Sequence, residues 1–261
     1  MKILVLGDIH GRSCWRDILA KENPDLTIFL GDFVTTHEGY TAEQQLTELK
    51  AILELKEENP QKFIILRGNH DLDGLGYYWA RCSPSAAGVQ AEMSKDMDLG
   101  QWFLEESQWI HVQEIGGKKY IFAHAGVSVN WLTNILKLDI DTPENLASAL
   151  GSINNMEPSE KFGFTGDHWD CYGTHPDQSC TWIRPDTLCE YGPADYSQVV
   201  GHTGTYSDCQ RRQFLDISYK EEDGERYAVY KESDRDLWMC DALQQKAYLI
   251  IENDKFIPKR L

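Results

Sequence analysis

No apolar run in this sequence approaches the roughly 20 residues that a helix needs to cross a bilayer, which argues against a membrane-spanning helix. The apolar stretch at residues 3–6 is too short for a signal peptide and meets Asp8 almost at once. Paired cysteines are missing too. The seven cysteines are odd in number and contain no Cys-x-x-Cys pair, so a reduced, cytoplasmic chain is expected. Cys171, Cys180 and Cys189 share a segment with His168 and His175, a spacing open to a structural zinc, although loosely placed buried thiols are the better reading. Basic residues are scarce: 25 Lys and Arg face 42 Asp and Glu, a net charge of -17. Such a surface repels phosphate backbones at long range, which argues against nucleic acid as a partner. It does not argue against phosphate chemistry in a local pocket. Internal repeats and low-complexity linkers are also absent, so residues 1–261 read as one domain.

What is present is a series of short runs rich in Ile, Val, Leu and Phe at residues 3–6, 26–30, 63–66, 120–123 and 198–200. Bounded by Gly, Asp or Asn, they read as buried strands, and residues 227–230 and 247–251 extend a sheet. Helical patterns lie between them. One covers residues 13–22 and stops before Pro24. A second covers 41–58, with Leu46, Leu49, Ile52 and Leu53 at helical spacing and Thr41 and Gln44 placed as a capping box. A third starts at Thr142 and Pro143 and ends at Gly151. Strands alternating with helices predict a layered α/β fold. Residues 157–196, rich in Gly, Pro, Asp and aromatics, read as a long irregular excursion.

Each of the first five runs ends in a polar cluster: Gly7-Asp8-Ile9-His10-Gly11, Gly31-Asp32, Gly68-Asn69-His70-Asp71, His124-Ala125-Gly126 and Gly201-His202-Thr203. Side chains at the carboxyl ends of adjacent strands converge on one crevice. An isolated Gly-Asp after a strand is ordinarily a turn, and a single interior histidine is ordinarily a packed one. Coincidence fails as an account of five such clusters in order, which hold four of the eight histidines. Carboxylate, imidazole and amide donors without cysteine suit divalent manganese, iron or zinc, and disfavour a structural zinc.

The order GDIHG, GDFV, RGNHD, HAG and GHT resembles the calcineurin-like metallophosphoesterases. Within them it is most similar to the phosphoprotein phosphatase group, which includes bacterial and phage serine/threonine phosphatases and symmetrical diadenosine tetraphosphate hydrolases. That resemblance implies an α/β (α+β) fold with a central β-sandwich flanked by helices and a dimetal site at the strand ends. It implies that Asp8 and His10 hold one metal, that Asn69, His124 and His202 hold the other, and that Asp32 bridges them. Two divalent cations, manganese foremost, would share and activate a water that attacks phosphorus in line. His70 takes the position of the general acid. Arg67 and Arg184 are candidate phosphate clamps, with Arg12 a weaker third.

The chain also departs from that group. The second motif commonly runs GDxVDRG, with an aspartate orienting the acid and an arginine binding phosphate; here Thr35 and Thr36 stand in those places. Asp71 or Asp73 is then the candidate to orient His70. Asp71 itself replaces the usual glutamate, Cys240-Asp241 replaces an Ile-Asp pair, and Gly204 stands where nuclease-like relatives carry a second histidine. The expected activity is a serine/threonine-type phosphomonoesterase acting on a phosphorylated protein or a small phosphoester. A dinucleoside polyphosphate hydrolase is the alternative, because an exposed Trp169, Tyr172, Trp182, Tyr191 or Tyr196 could stack on adenine. A nuclease comes third. A non-catalytic scaffold on the same fold is the reading from another class, and the complete ligand set counts against it.

Overall fold

The computed structural model describes residues 1–36, 38–80, 82–163, 173–204, 217–222, 225–232 and 235–261; for residues 97, 217–222, 225–232 and 235 it describes the backbone alone. The chain divides into two compact units, one of Met1–Gln108 with Cys240–Leu261 and one of Trp109–Met239. In chain order the strands are β1 (Lys2–Leu6), β2 (Leu26–Phe29), β3 (Phe63–Ile65), β4 (Ile110–Ile115), β5 (Lys118–Ala123) and β6 (Tyr196–Gly204). They continue with β7 (Ile217–Glu222), β8 (Glu225–Glu232), β9 (Arg235–Asp241), β10 (Ala247–Glu252) and β11 (Lys255–Arg260). Two sheets result, of order β11-β10-β1-β2-β3 and β4-β5-β6-β9-β8-β7. All seven runs expected to be strands are strands. The mixed α/β class with two sheets is the one found.

In the first unit, β1, β2 and β3 are parallel neighbours, with Leu6 opposite Phe29 and Phe29 opposite Ile65. Their carboxyl ends therefore emerge side by side. Helices α1 (Cys14–Glu22) and α2 (Ala42–Glu58) supply apolar faces to this sheet, and α3 (Asn69–Gly74), α4 (Ala86–Met93) and α5 (Met97–Glu106) complete the unit. The α2 face is the expected one: Leu46, Leu49, Ile52 and Leu53 join Trp15, Ile18, Phe29 and Phe63 in one core. Each such side chain contributes about 1.5–3 kcal/mol by leaving water. The capping box is also as expected, with Gln44 N donating to Thr41 Oγ1 and Thr41 N to Gln44 Oε1. Helix α1 stops where Asn23 turns left-handed (φ 42°) ahead of Pro24.

In the second unit, β5 and β6 are parallel, with Ala123 opposite Val200, and Gly201 N donates to His124 O. Helix α6 (Pro143–Ile153) is capped by Thr142 as expected, while α7 (Pro185–Tyr191) lies inside the segment read as irregular. The Asn154 side chain, just past α6, accepts from the amides of Trp109 and Ile110 and donates to Ile110 O. That pins α6 to the start of β4. Trp109 stacks on Phe162 at 3.7 Å between ring centroids, and Trp131 meets the same ring edge-on. Among the described residues, no helix is long and apolar enough to cross a membrane.

One buried ion network in the first unit carries a pH dependence. Glu22, at the end of α1, is 6% exposed, and its carboxylate receives Lys2 Nζ, Lys259 Nζ and Tyr248 Oη. Burial alone would raise its pKa, but the hydrogen bonds from Lys2, Tyr248 and Lys259 outweigh it and hold the group down at about 2. A folded pKa below the unfolded one means stability that is present above pH ~4.5 and is lost as the pH falls through ~2. The contribution is on the order of 3 kcal/mol at neutral pH, with about 2 kcal/mol gone by pH 3. Urea denaturation of wild type and Glu22→Gln at pH 6 and pH 3 should give a stability gap that narrows by that amount. A gap independent of pH would remove Glu22 from the acid response.

Candidate metal centre

The turns that follow β1 and β2 bring three of the expected ligands together. Asp8, His10 and Asp32 each place a ligand atom within 4.8 Å of the other two. His10 Nε2 lies 3.9 Å from Asp8 Oδ2 and 3.8 Å from Asp32 Oδ2. Burial pushes the His10 pKa down to about 3, against the pull of the Asp32 charge. The imidazole is thus neutral, with a lone pair to give. Two carboxylates and a neutral imidazole at this spacing fit a divalent cation. His10 (φ 46°) and Asp32 (φ 54°) both sit in the left-handed region. Few residues with a Cβ are held there unless neighbours enforce it. Here His10 N donates to Asp32 O, Gly11 N donates to Phe33 O, and His10 Nδ1 contacts Val34 O at 3.3 Å.

The third turn carries Asn69 and His70 at the start of α3. Asn69 is buried, and the His70 amide donates to Asp32 Oδ1 at 2.9 Å. The His70 ring meets His10 edge-on at 5.0 Å. Two glycines make these approaches feasible. A Cβ at Gly68 would lie 2.1 Å from Asp32 Oδ1, and one at Gly7 would lie 2.1 Å from Cys240 O.

The two aspartates expected to orient His70 bind main-chain amides. Asp71 accepts from the amides of Asp32, Phe33 and Gly68. Asp73 accepts from the amides of Cys82 and Ser83. Both are short acids near backbone N–H groups, and each is drawn to the donors beside it. Thr35 is the residue at the imidazole, with Oγ1 2.5 Å from His70 Nδ1 and 3.2 Å from His70 O. Thr35 Oγ1 thus meets both the ring nitrogen and the main-chain carbonyl of His70. Position 35 keeps the contact with a hydroxyl in place of a carboxylate. Sequence reading had the position and missed that threonine could serve it.

Arg67 is buried and faces α5: Nε donates to Ser107 Oγ, and Nη2 donates to Leu104 O and Ser107 O. Arg12 gives Nη1 to Asp8 O and Nη2 to Glu38.

In the second unit, His124 follows β5 and His202 lies near the end of β6, with ring centroids 5.0 Å apart. His202 is again left-handed (φ 61°). Arg184 Nη1 donates to His202 O at 3.2 Å and to Thr203 Oγ1 at 3.1 Å, so the candidate clamp stands beside a candidate ligand. The Gln198 side chain bonds both the amide and the carbonyl of Val127, fixing the turn after His124. Trp182, 5.4 Å from the His202 ring, and Tyr196 are buried, and Tyr191 is half-buried. Trp169 and Tyr172 lie outside the described residues, as do Cys171 and His168 of the suggested zinc cluster.

Among solved structures, the fold is similar to a cold-active protein-tyrosine phosphatase from a psychrophilic Shewanella species, with a TM-score of 0.56 and 16% identity over 98% of this chain and 77% of that one. It is also similar to a Saccharomyces cerevisiae protein serine/threonine phosphatase related to human phosphatase PP5, with a TM-score of 0.54 and 13% identity over 99% of this chain and 79% of that one. At such identities the likeness is one of fold. The calcineurin-like phosphoesterase family matches residues 1–240. The chain therefore belongs to the calcineurin-like phosphoesterases, which use two metals, and is a metal-dependent phosphoester hydrolase.

Proposed function

We propose that this hydrolase is a phosphomonoesterase of the serine/threonine type, whose substrate is a phosphorylated protein and whose metals are two divalent cations, manganese foremost. Metal ligation is assigned to Asp8, His10, Asp32 and Asn69 in the first unit and to His124 and His202 in the second. Bound metals supply Lewis acidity to the phosphoryl group and to water. The rest falls to the chain. The observation that carries the reading is the Thr35–His70 contact at 2.5 Å. With Nδ1 committed to Thr35, Nε2 of His70 is the atom assigned to deliver a proton to the leaving oxygen. An alkoxide such as that of serine needs this proton, because it is a poor leaving group. Arg184 is assigned to the phosphoryl oxygens, as a charge-assisted donor. Arg67, with Nε and Nη2 on α5 carbonyl and hydroxyl oxygens, is reassigned as a brace for the Gly68–Asn69 turn.

Burial of Trp182 and Tyr196 supports the monoester reading over a dinucleoside polyphosphate, because a buried ring has no face to offer adenine. The net charge of -17 counts against a polyanionic nucleic acid substrate. The described cysteines are free thiols, which supports a reducing, cytoplasmic setting.

Asp32→Asn tests the metal assignment. An asparagine keeps the oxygen that accepts from His70 N and removes only the charge that both metals are proposed to share. Turnover with manganese should drop by more than about 10²-fold with the fold intact. A variant that held two metals and more than about a tenth of wild-type turnover would refute the assignment.

For the acid, the comparison is between leaving groups. His70→Asn should cut phosphoserine-peptide turnover by about 10²–10⁴-fold. It should cut p-nitrophenyl phosphate turnover far less, since that leaving group departs as a stable phenolate. Equal losses on both, with metal retained, would make His70 a phosphate-positioning residue.

Arg184→Ala should raise KM and lower kcat, by about 2–4 kcal/mol combined in kcat/KM. Steady-state kinetics on the same peptide check this, and wild-type values would move the clamp to another residue.

A further inference from the structure

Arg12 and Glu38 stand outside the assigned machinery, yet they form an ion pair at its edge. The Arg12 side chain is 9% exposed. Its Nη1 donates to Asp8 O at 2.8 Å and reaches Ile9 O at 3.5 Å, and its Nη2 donates to the Glu38 carboxylate. Its Nε is buried and has no hydrogen-bond partner among the described residues. A guanidinium buried with one N–H unmet is a costly way to fill space, and a packed apolar side chain would stabilise the fold as well or better. Stability therefore does not account for the pair. Its geometry does.

On one side Arg12 holds the carbonyls of the turn that carries Asp8 and His10. On the other, Glu38 lies three residues past Thr35, and its amide donates to Thr36 Oγ1 at 2.9 Å. Between these points the two turns are laced residue by residue, through His10 N to Asp32 O, Gly11 N to Phe33 O, and His10 Nδ1 against Val34 O. Arg12–Glu38 is the contact that closes this series beyond Thr35. Thr35 itself is fully buried and left-handed, at φ 57°. A threonine leaves that region readily unless the chain on both sides is held. If it did, Oγ1 would move off His70 Nδ1.

We propose that Arg12–Glu38 is a latch that positions His70 by holding Thr35 in the backbone conformation from which its hydroxyl sets the imidazole. The proposal rests on the reading of His70 as the acid. Arg12 and Glu38 are positioning residues that touch neither substrate nor metal. Their effect is felt in the proton delivered to poor leaving groups and not in metal retention.

The test uses Glu38→Gln, Arg12→Lys, His70→Asn and the double variant His70→Asn with Glu38→Gln, each loaded with manganese and analysed for metal content. Each is assayed on a phosphoserine peptide and on p-nitrophenyl phosphate. Glu38→Gln should lower kcat on the peptide by about tenfold, with KM and p-nitrophenyl phosphate turnover within about twofold of wild type. Arg12→Lys, which keeps the charge but loses the forked geometry, should show the same selectivity. In the double variant the Glu38 change should add nothing to the loss caused by His70→Asn. Unchanged peptide turnover in Glu38→Gln overturns the latch, and so does a loss shared equally by both substrates or accompanied by metal loss. His70→Asn separates the two ideas. A selective loss there without one in Glu38→Gln sinks the latch alone, whereas an unselective loss in His70→Asn sinks the acid reading and the latch with it. Should Arg12→Lys fold poorly, Glu38→Gln decides, because the Glu38 side chain is 37% exposed and tolerates the change.

Discussion

Asp71 accepts three backbone N–H groups at once, from Asp32 and Gly68 at 2.9 Å and from Phe33 at 2.6 Å, and is 2% exposed. A carboxylate this deep without such donors would cost several kcal/mol. With three charge-assisted bonds it becomes a clamp instead, tying the turn after β2 to the turn after β3. The geometry of the first unit's site follows from that clamp. It sets where Asp32 stands relative to Asn69, and it brings the backbones so close that position 68 must be glycine. The arrangement also turns the Asp71 carboxylate toward the backbone of the two turns.

The parallel strands explain the rest of the convergence. β1, β2 and β3 end level with one another, so short turns of similar length deliver Asp8, Asp32 and Asn69 to one place. A turn that short cannot aim each side chain correctly in relaxed conformations, which is why His10, Asp32 and Thr35 are left-handed. Such residues cost about 1–3 kcal/mol each. The sheet beneath them, with Leu4, Leu6 and Phe29 fully buried, supplies the stability against which that strain is held. In the second unit β5 and β6 are again parallel, and His202, near the end of β6, is likewise left-handed. Strain at the site residues is therefore a product of topology.

Strong periodicity and local capping made much of the fold readable in advance. The apolar runs became strands because nothing in them competes for another structure, and Thr41 and Gln44 announced the start of α2. The elements that escaped notice carry mixed signals. β11 contains Pro258, tolerable only because it is the edge strand of its sheet, and β4 alternates polar and apolar residues as an edge strand does. α5 holds a glycine, Gly100, in mid-helix, and α7 is only seven residues long inside a segment dense in turn formers. At the site, the ligand candidates were legible because strand, glycine and donor recur together. The partners were not, because hydrogen-bond choice depends on distances that sequence does not encode. Thr35 looked like a lost carboxylate and Asp73 like a replacement, yet the backbone places the threonine at the ring and the aspartate at the amides of Cys82 and Ser83.

The three arginines near the motifs differ in what their donors meet. Two are drawn into structural work: Arg67 steadies the end of α5 against the Gly68 turn, and Arg12 is matched with Glu38. Arg12, whose charge is matched by Glu38, contributes little attraction to an incoming anion, whereas Arg67 and Arg184 bond neutral oxygens and keep their charge. In a chain of net charge -17, bound metals would add positive potential that the acidic surface does not supply. That surface concentrates divalent cations near the protein and repels long polyanions before any pocket contact is made.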